Sequence, residues 1–394
     1  MSHSYAVYAE ALRRQTLPAV LVDMRRFDDN LAALLRRAGH LPLRVASKSV
    51  RCVSLLRHVL DFDARCQGLM CFHAGEASRL AALGFDDLLV AYPTVQPVLI
   101  RDVCEQLRAG RRITLMVDSP VQIERIDEVA RREGVCVPLC LDVDMSWHLP
   151  GLNFGVYRSP VRGVDAALAC HALIRRSEGV RLEGVMGYEA QIAGLGDAQP
   201  AQGLRNAVVR RLKAGAIPRL QRLRGEVVRA LREDGAELRF VNGGGTGSLE
   251  STRDDPSVTE VTAGSGLYAP LLFDHYQQFR HAPAMLFALE VVRHPQSAIA
   301  TCLGGGYVAS GAPGPDRLPQ PVWPPGLSLI ANEGAGEVQT PVTGDVLPAV
   351  GEPVLFRHAK AGELCERFNE LLLWRDGAIV DRVPTYRGEG WQYV

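Results

Sequence analysis

The first candidate for chemistry is a lysine, because only three lysines stand among the 44 lysines and arginines of the chain. Lys48 ends the apolar run LRVASK (43–48), which is typical of a buried strand. A lysine surrounded by apolar residues loses hydration, and this lowers the pKa of its amine and favours the neutral form. The neutral amine is the form that bonds with a carbonyl compound. The alternative is a strand-end lysine whose charge stays in water.

Two glycine-rich stretches could bind an anionic group. VNGGGTGSLES (241–251) and TEVTAGSGLYAP (259–270) each follow a short apolar run. Glycine lets the backbone approach a ligand closely, and exposed N–H groups can then bind phosphate. No lysine follows the glycines as it does in a P-loop, so a nucleoside triphosphate site is not expected. The pair of stretches predicts a phosphate-bearing ligand, although tight turns also need glycine.

A third stretch, RHAKAGELCERFNE (357–370), contains His358, Lys360, Glu363 and Cys365 within a few residues. Histidine is the usual base near neutral pH and a common metal ligand. A charged surface loop is the alternative interpretation. By contrast, Lys213 in VVRRLKAGAIP precedes a glycine, and this pattern predicts a solvated lysine near a helix end.

Further polar residues follow other apolar runs. Tyr188 in GVMGYEAQIAG could hydrogen-bond a ligand or simply fill space at a strand end. Asp142, Asp144 and His148 in LDVDMSWHLPG are as compatible with a metal cluster as with a polar rim, because residues two apart share one face of a strand.

These residues lie in a regular alternation of strand and helix patterns. Nine β-rich runs, beginning with AVLVDM (19–24) and LRVASK, alternate with helical patterns that often end in glycine. Strands that are apolar throughout predict a parallel sheet covered on both faces. We therefore predict an α/β fold, a (β/α)₈ barrel over residues 19–274, with an open doubly wound sheet as the alternative. Shorter β-like runs predict a β domain over residues 275–394, with residues 1–18 packed on it.

Composition narrows the class of protein. The 44 basic and 44 acidic residues cancel, so no charged field predicts nucleic-acid binding. No apolar run is long enough for a membrane-spanning helix, and the N-terminus lacks the order of a signal peptide. Nine cysteines, an odd number without a paired framework, favour the reducing cytoplasm.

Together these motifs resemble those of fold-type III pyridoxal-phosphate enzymes, whose barrel is similar to that of alanine racemase. Arg44-Val-Ala-Ser-Lys48 resembles the segment of the cofactor lysine in that family. VMGYEAQIAG resembles the strand with a cofactor-contacting tyrosine, and NGGGTGS with TEVTAGSGLY resembles the phosphate loops. The histidine-bearing stretch is similar to the β domain of the D-threonine aldolase and D-serine dehydratase-like branch, which includes proteins called amino acid deaminase/aldolase.

The resemblance implies a role for each matching residue. Lys48 would carry pyridoxal 5′-phosphate, Tyr188 would contact the ring or the substrate, and Arg44 would lie near the phenolate side of the cofactor. The phosphate would be held by Gly244, Gly245, Thr246, Gly264, Ser265, Gly266 and Tyr268.

This chain departs from the family's pattern of residues at the divalent-metal site. The resemblance implies a histidine ligand followed two residues later by cysteine or aspartate, but Lys360 follows His358 at that spacing. One interpretation keeps a manganese, magnesium or zinc ion, held by His358 with Cys365 or Glu363. The other has the Lys360 ammonium replace the charge of the metal. A second departure is Asn153, which stands where family members often carry an arginine; Arg158 is nearby in the sequence.

The resemblance implies a carbon–carbon lyase acting on β-hydroxy D-amino acids, with His358 as the base and Lys360 or a metal assisting. A D-serine dehydratase-like deaminase is the second expectation and an amino acid racemase the third. A non-catalytic cofactor carrier is the alternative outside enzymes, although carriers resemble the barrel alone. The family also implies a homodimer with shared active sites, amino acid and aldehyde substrates, and no nucleic-acid or membrane partner.

Overall fold

The structure, a computed structural model, describes residues 2–394. Short 3₁₀ turns at Ser47–Ser49, Leu271–His275, Pro315–Arg317 and Glu363–Glu366 interrupt the regular elements. Along the chain the helices and strands are α1 (Ser2–Leu12), β1 (Ala19–Asp23), α2 (Met24–Ala38), β2 (Leu43–Ala46), α3 (Val53–Phe62), β3 (Cys66–Cys71), α4 (Ala74–Ala82), β4 (Leu88–Val90), α5 (Pro97–Arg108), β5 (Ile113–Val117), α6 (Pro120–Glu133), β6 (Val137–Asp142), β7 (Trp147–Leu149), β8 (Leu152–Phe154), α7 (Val164–Arg176), β9 (Val180–Gly187), α8 (Ala190–Ala193), α9 (Gly203–Glu233), β10 (Phe240–Gly243), α10 (Leu249–Arg253), β11 (Glu260–Ala263), β12 (Met285–Gln296), β13 (Ile299–Leu303), β14 (Gln320–Trp323), β15 (Ser328–Leu329), β16 (Gln339–Thr343), β17 (Pro353–Arg357), β18 (Glu370–Arg375) and β19 (Ala378–Pro384).

The chain divides into two compact units. We call one the barrel unit, formed by Leu34–Lys48, Arg57–Gly264 and Tyr393–Val394. The other, the sheet unit, contains residues through Ala33 together with Ser49–Leu56 and Ser265–Gln392.

The barrel unit is built on eight parallel strands that close on themselves. In chain order they are β2, β3, β4, β5, β6, β9, β10 and β11, and the last pairs with the first through Val261 and Leu43. Strands β2, β4, β5 and β6 are buried along their whole length, as expected when helices cover a parallel sheet. The predicted (β/α)₈ barrel is therefore confirmed.

Apolar side chains of different sizes fill the barrel. Met116, Cys140, Met186 and Phe240 belong to one buried cluster. Gly184 leaves room for the Phe240 ring, because a Cβ at position 184 would lie 2.3 Å from a ring carbon. The interior is thus a packed core, and a ligand site has to lie at one end of the strands.

The sheet unit contains a nine-stranded sheet in which β1 is a central strand. β1 pairs antiparallel with β12 and parallel with β18. The expectation that Ala19–Met24 forms the first barrel strand is therefore wrong, and the barrel begins at β2. The reason is that AVLVD is buried in this sheet as it would be in a barrel, so its composition fits both. Helix α1 packs here too, with Tyr8 and Leu12 in one cluster with strand residues of the same unit.

Lys213 differs from its sequence-based interpretation. It lies in the middle of α9, is buried, and donates to the carboxylate of Asp197 at 3.1 Å. The glycine that suggested a helix end, Gly215, instead packs within the helix, where a Cβ would be 3.4 Å from the Trp147 ring.

The described residues contain no helix with the length and apolar character needed to cross a membrane. All nine cysteines are free thiols.

Candidate active site

Several polar residues stand directly after barrel strands. Lys48 and Tyr92 come two residues after β2 and β4, while Tyr188, Gly244 and Gly264 directly follow β9, β10 and β11. Because all barrel strands are parallel, their carboxyl ends meet at one face, which is where barrel enzymes carry their active sites.

The amine of Lys48 donates a hydrogen bond of 3.0 Å to the hydroxyl of Tyr92. It also lies 5.4 Å from the centre of the Tyr92 ring. Lys48 is exposed, so the apolar surroundings expected from the sequence are not what the structure shows. Its neighbour in the site is a phenol rather than an aliphatic wall.

Arg158 joins two aromatic rings of this face. Its guanidinium carbon lies 5.0 Å from the centre of the Tyr92 ring and 5.9 Å from that of Tyr188. The guanidinium donates to Asp142 at 2.6 Å and to the carbonyl oxygen of Ala91 at 2.7 Å, and both bonds fix its position. The importance of Arg158 and Tyr92 does not follow from the sequence, in which Arg158 is only a neighbour of Asn153.

Two cations lie beside the Tyr92 phenol. Burial raises the pKa of the Tyr92 phenol, but Lys48 and Arg158 more than offset this effect and lower the pKa below its usual value. Burial also raises the pKa of Asp142 to about 6, against the opposing charge of Arg158.

Gly245, in the first glycine stretch, packs closely against Ala193 and Tyr188. A Cβ at position 245 would lie 2.7 Å from Cβ of Ala193 and 3.2 Å from a ring carbon of Tyr188. Only glycine therefore fits between these side chains without displacing them. Burial raises the pKa of Tyr188 to about 12, so its hydroxyl keeps its proton and can donate a hydrogen bond.

A buried ion pair holds the start of the same stretch. Glu189 accepts a 2.9 Å hydrogen bond from the main-chain N–H of Gly244 and also binds Arg224. Arg224 in turn donates to Asp255 at 2.5 Å. Gly244, at φ +94°, thus donates its N–H to Glu189 and shapes the turn. Glu189 and Arg224 were not identified from the sequence, since they lie 35 residues apart.

The second glycine stretch crosses the boundary between the two units after Gly264. Within the sheet unit, the hydroxyls of Ser265 and Ser49 lie 3.0 Å apart. Tyr268 is buried and donates from its hydroxyl to the carbonyl oxygen of Val50 at 2.9 Å. The Tyr268 hydroxyl thus bonds to the backbone, although the sequence had suggested a phosphate ligand.

Arg44 is placed differently from the expectation. Its guanidinium binds Glu260 at 2.7 and 2.9 Å and Asp87 at 3.0 Å. Glu260 is the first residue of β11, and Asp87 immediately precedes β4. Arg44 therefore points to the amino ends of the strands and ties the barrel together there, away from the face of Lys48.

His358 is a buried side chain of the sheet unit. Neither of its ring nitrogens has a hydrogen-bond partner among the described residues. Burial, followed by the charge of Arg357, lowers the pKa of His358 to about 3, so the imidazole is neutral at physiological pH. Buried polar atoms are normally paired, and an unpaired one indicates a functional role or a missing ligand.

The residues near His358 in the sequence do not supply a metal-ligand set. Cys365 donates its thiol proton to Val50 at 3.4 Å, and burial raises the pKa of the thiol, whereas a metal needs the thiolate. Lys360 binds Glu363 and Ser310, each at 2.8 Å. No group of three or more histidine, cysteine or acidic side chains among the described residues is placed to hold a metal ion. These donors do not fit a divalent-metal site.

The aspartates predicted as a possible metal cluster serve as ion-pair partners. Asp142 binds Arg158, while Asp144 lies 3.4 Å from His148 and 3.3 Å from Arg162. Their arrangement matches the polar-rim interpretation.

The barrel face fits pyridoxal 5′-phosphate by its donor set. A covalently bound cofactor of this kind needs an accessible lysine amine, which Lys48 supplies. It also needs a place where a phosphate can approach the main chain, and glycines, which lack a side chain, allow such an approach in the stretch that follows β10. Arg158 and Tyr188 add a fixed cation and a proton donor on the same face.

Comparisons with known proteins agree with this geometry. The chain is 24% identical over 381 residues to D-threonine aldolase from Arthrobacter sp., covering 94% of this chain and 92% of that protein. It is 22% identical over 198 residues to 3-hydroxy-D-aspartate aldolase from Paracoccus denitrificans, covering 50% and 46%. The crystal structure of D-threonine aldolase from Filomicrobium marinum superposes with a TM-score of 0.81 at 20% identity, covering 96% of both chains.

The solved structure of D-threo-3-hydroxyaspartate dehydratase from Delftia sp. HT23 also superposes on this chain. The TM-score is 0.76 at 21% identity, with 95% of this chain and 98% of that chain covered. The sequence profile of the alanine racemase N-terminal domain matches residues 22–270, well over half of the chain. The resemblance seen in the sequence is thus confirmed, and the chain belongs to the alanine racemase N-terminal domain family.

Proposed function

We propose that this protein is a pyridoxal-phosphate-dependent lyase that cleaves the Cα–Cβ bond of β-hydroxy D-amino acids and releases an aldehyde. The observation that carries the proposal is Lys48, an accessible amine on the same face of strand ends as the glycine stretch that follows β10. The similarity to D-threonine aldolase over 94% of the chain supports the substrate class. The enzyme would act in the cytoplasm.

Each barrel residue has a part in this proposal. Lys48 carries the cofactor, Gly245 and Thr246 hold its phosphate through their main-chain N–H groups, and Arg158 and Tyr188 contact the ring or the substrate. Gly264, which directly follows β11 in the barrel unit, would complete the phosphate site. When bound, the cofactor accepts the electron pair left on Cα as the bond to Cβ breaks.

The proton of the β-hydroxyl needs an acceptor, and we assign this role to His358. Its imidazole is neutral and its nitrogens have no other partner among the described residues, so it can take a proton from the hydroxyl oxygen. The Lys360 ammonium would stabilise the charge that develops on that oxygen. Because the donor set does not fit a metal, no step here depends on one.

The test is incubation of the purified enzyme with D- and L-β-hydroxy amino acids, with products identified by mass spectrometry. We expect aldehyde and glycine from a D-β-hydroxy substrate, and none from the Lys48→Ala variant. Release of a keto acid and ammonia instead would show a dehydratase and contradict the lyase. No turnover of any substrate, with the cofactor bound, would indicate a passive carrier.

We further propose a homodimer with shared active sites, in which the partner subunit's His358 serves the Lys48 of its neighbour. Lys48→Ala and His358→Gln variants are each expected to be inactive. Mixed after reversible dissociation, they should recover about a quarter of wild-type activity, since half of the dimers are then hybrids with one intact site of two. Absence of any recovery, with hybrids shown by native mass spectrometry, would contradict the shared site.

A further inference from the structure

Lys48 is exposed on the face where the barrel strands end. The reaction of a lysine with a carbonyl carbon needs the amine lone pair, which is occupied in the ammonium form. Proteins often obtain the neutral amine by burying the lysine among apolar groups. Lys48 is exposed, so the polar groups beside its amine are the candidates for accepting the ammonium proton.

The neighbouring group with suitable chemistry is Tyr92. Its hydroxyl accepts the hydrogen bond from Lys48 at 3.0 Å, which is within reach of direct proton transfer. Tyr92 follows β4 and Lys48 follows β2, so two rigid barrel strands fix their separation.

The charges around Tyr92 favour loss of its own proton. Lys48 and Arg158 face the ring, and Tyr188 lies on the other side of Arg158. Asp142 is the acidic group that holds Arg158, at 2.6 Å. Burial raises the pKa of Tyr92, but the two cations outweigh it and lower the pKa overall. The Tyr92 hydroxyl therefore ionises more readily than an isolated phenol.

We propose that Tyr92 is the proton acceptor for Lys48 during capture of pyridoxal 5′-phosphate. One proton moves from Nζ of Lys48 to the oxygen of Tyr92, which converts ammonium and phenolate into amine and phenol with no change in total charge. The lone pair on Nζ is then free to attack the carbonyl carbon. When Lys48 is released again, the phenol returns the proton. This inference rests on the proposed role of Lys48 as the cofactor lysine.

The pH dependence of cofactor capture distinguishes a tyrosine that accepts the proton from one that only orients Lys48. If Tyr92 only positions Lys48, its removal slows capture by a similar factor at every pH. If it accepts the proton, its removal also changes how the rate depends on pH, because solvent must then take the proton.

The first experiment measures capture of pyridoxal 5′-phosphate by the cofactor-free protein, followed by stopped-flow absorbance over a range of pH. We expect Tyr92→Phe to slow capture at neutral pH by roughly a hundredfold, within the range of general acid–base effects. We also expect the pH range over which the capture rate rises to lie higher for Tyr92→Phe than for the wild type. Tyr157→Phe is the matched control, because Tyr157 is 89% exposed and belongs to no part of the site. An unchanged pH profile in Tyr92→Phe would overturn the proposal.

The second experiment needs neither cofactor nor substrate. Titration of the cofactor-free protein, followed by the absorbance of tyrosinate, should show one tyrosine that ionises below the others. We expect this component to disappear in Tyr92→Phe, to persist in Tyr157→Phe, and to move to higher pH in Lys48→Gln, which lacks the ammonium. Persistence of the component in Tyr92→Phe would overturn the proposal, even if the variant captures the cofactor slowly.

Neither experiment detects cleavage products. If pyridoxal 5′-phosphate is captured by Lys48 with the expected profile but no substrate is cleaved, the lyase function fails while the role of Tyr92 stands. If substrate is cleaved normally by Tyr92→Phe with an unchanged capture profile, the opposite conclusion follows.

Discussion

The hydroxyl of Tyr268 donates a 2.9 Å hydrogen bond to the carbonyl oxygen of Val50, two residues after Lys48 in the sequence. The thiol of Cys365 donates to the same oxygen at 3.4 Å. Nearby in the sheet unit, Arg51 binds Glu366 at 2.7 Å, and its φ is +47°. The backbone that follows the proposed cofactor lysine is therefore held by several side chains, and Tyr268 is one of its supports.

Replacing Tyr268 with phenylalanine should lower the free energy of unfolding by about 1 kcal/mol, the usual net value of one hydrogen bond. The loss is modest because the Cys365 thiol still serves the Val50 oxygen. Urea-induced unfolding would measure it, with the exposed Tyr157→Phe as a control expected within about 0.5 kcal/mol of wild type. A Tyr268→Phe variant as stable as the control would contradict the supporting role.

Gly245→Ala should weaken binding of pyridoxal 5′-phosphate. The added methyl would lie 2.7 Å from Cβ of Ala193, and the strain of such overpacking costs about 1–3 kcal/mol. Cofactor affinity, measured by fluorescence quenching, should fall by a corresponding factor of roughly 10 to 100.

Gly225→Ala is the matched control for this substitution. Gly225 lies within α9, and a Cβ there would meet no heavy atom of the described residues within 4 Å outside the helix backbone and its chain neighbours. Alanine should stabilise the helix by roughly 0.5–1 kcal/mol and leave cofactor affinity unchanged. Equal loss of affinity in both variants would show that Gly245 has no special place in the site.

The sequence allowed the barrel and its cofactor lysine to be predicted, because both depend on local patterns. Parallel barrel strands are apolar runs between helices, and Lys48 and Gly245 lie at the ends of such runs. The position of β1 could not be predicted, since its pairing with β12 depends on residues more than 260 positions away. A buried apolar strand has the same composition in either sheet.

The placement of Arg44, Tyr92 and Lys213 could not be predicted for a different reason. The direction of the Arg44 side chain depends on Glu260 and Asp87, which supply the opposite charges from distant strands. Lys213 is buried because Asp197 neutralises it there. Tyr92 follows the apolar strand β4 by two residues, and that position was the available signal. Its significance depends on Lys48, 44 residues earlier.

Removal of divalent metals should leave activity intact. The donors around His358 do not form a ligand set, and the charged groups on that segment are paired as Lys360 with Glu363. We expect elemental analysis to find no stoichiometric divalent ion and dialysis against a chelator to preserve turnover. A bound ion whose removal abolishes activity, and whose return restores it, would refute this expectation.

Lys360→Met should then reduce kcat by roughly a hundredfold, the typical effect of removing one charge-stabilising donor, whereas Lys360→Arg should retain more activity because it keeps the charge. Cofactor affinity is expected to be the same in both variants. A fully active Lys360→Met enzyme would remove Lys360 from the mechanism.

His358 should make the protein less stable in acid. Its pKa is about 3 in the folded protein because of burial, and about 6.5 in the unfolded chain. The unfolded state therefore binds the proton first as the pH falls. The stability contributed by the neutral imidazole is complete above about pH 6.5 and is lost progressively between about pH 6.5 and 3, at about 1.4 kcal/mol per pH unit.

The measurement is the free energy of unfolding between about pH 7 and 4, with the pH slope compared among variants. His358→Gln cannot titrate in this range, so its slope should be shallower than that of the wild type by about one proton. His40→Gln, at an exposed histidine, is the matched control. Equal slopes in the wild type and His358→Gln would show that the pKa of His358 is the same in the folded and unfolded states, which would contradict the lowered pKa of the buried imidazole.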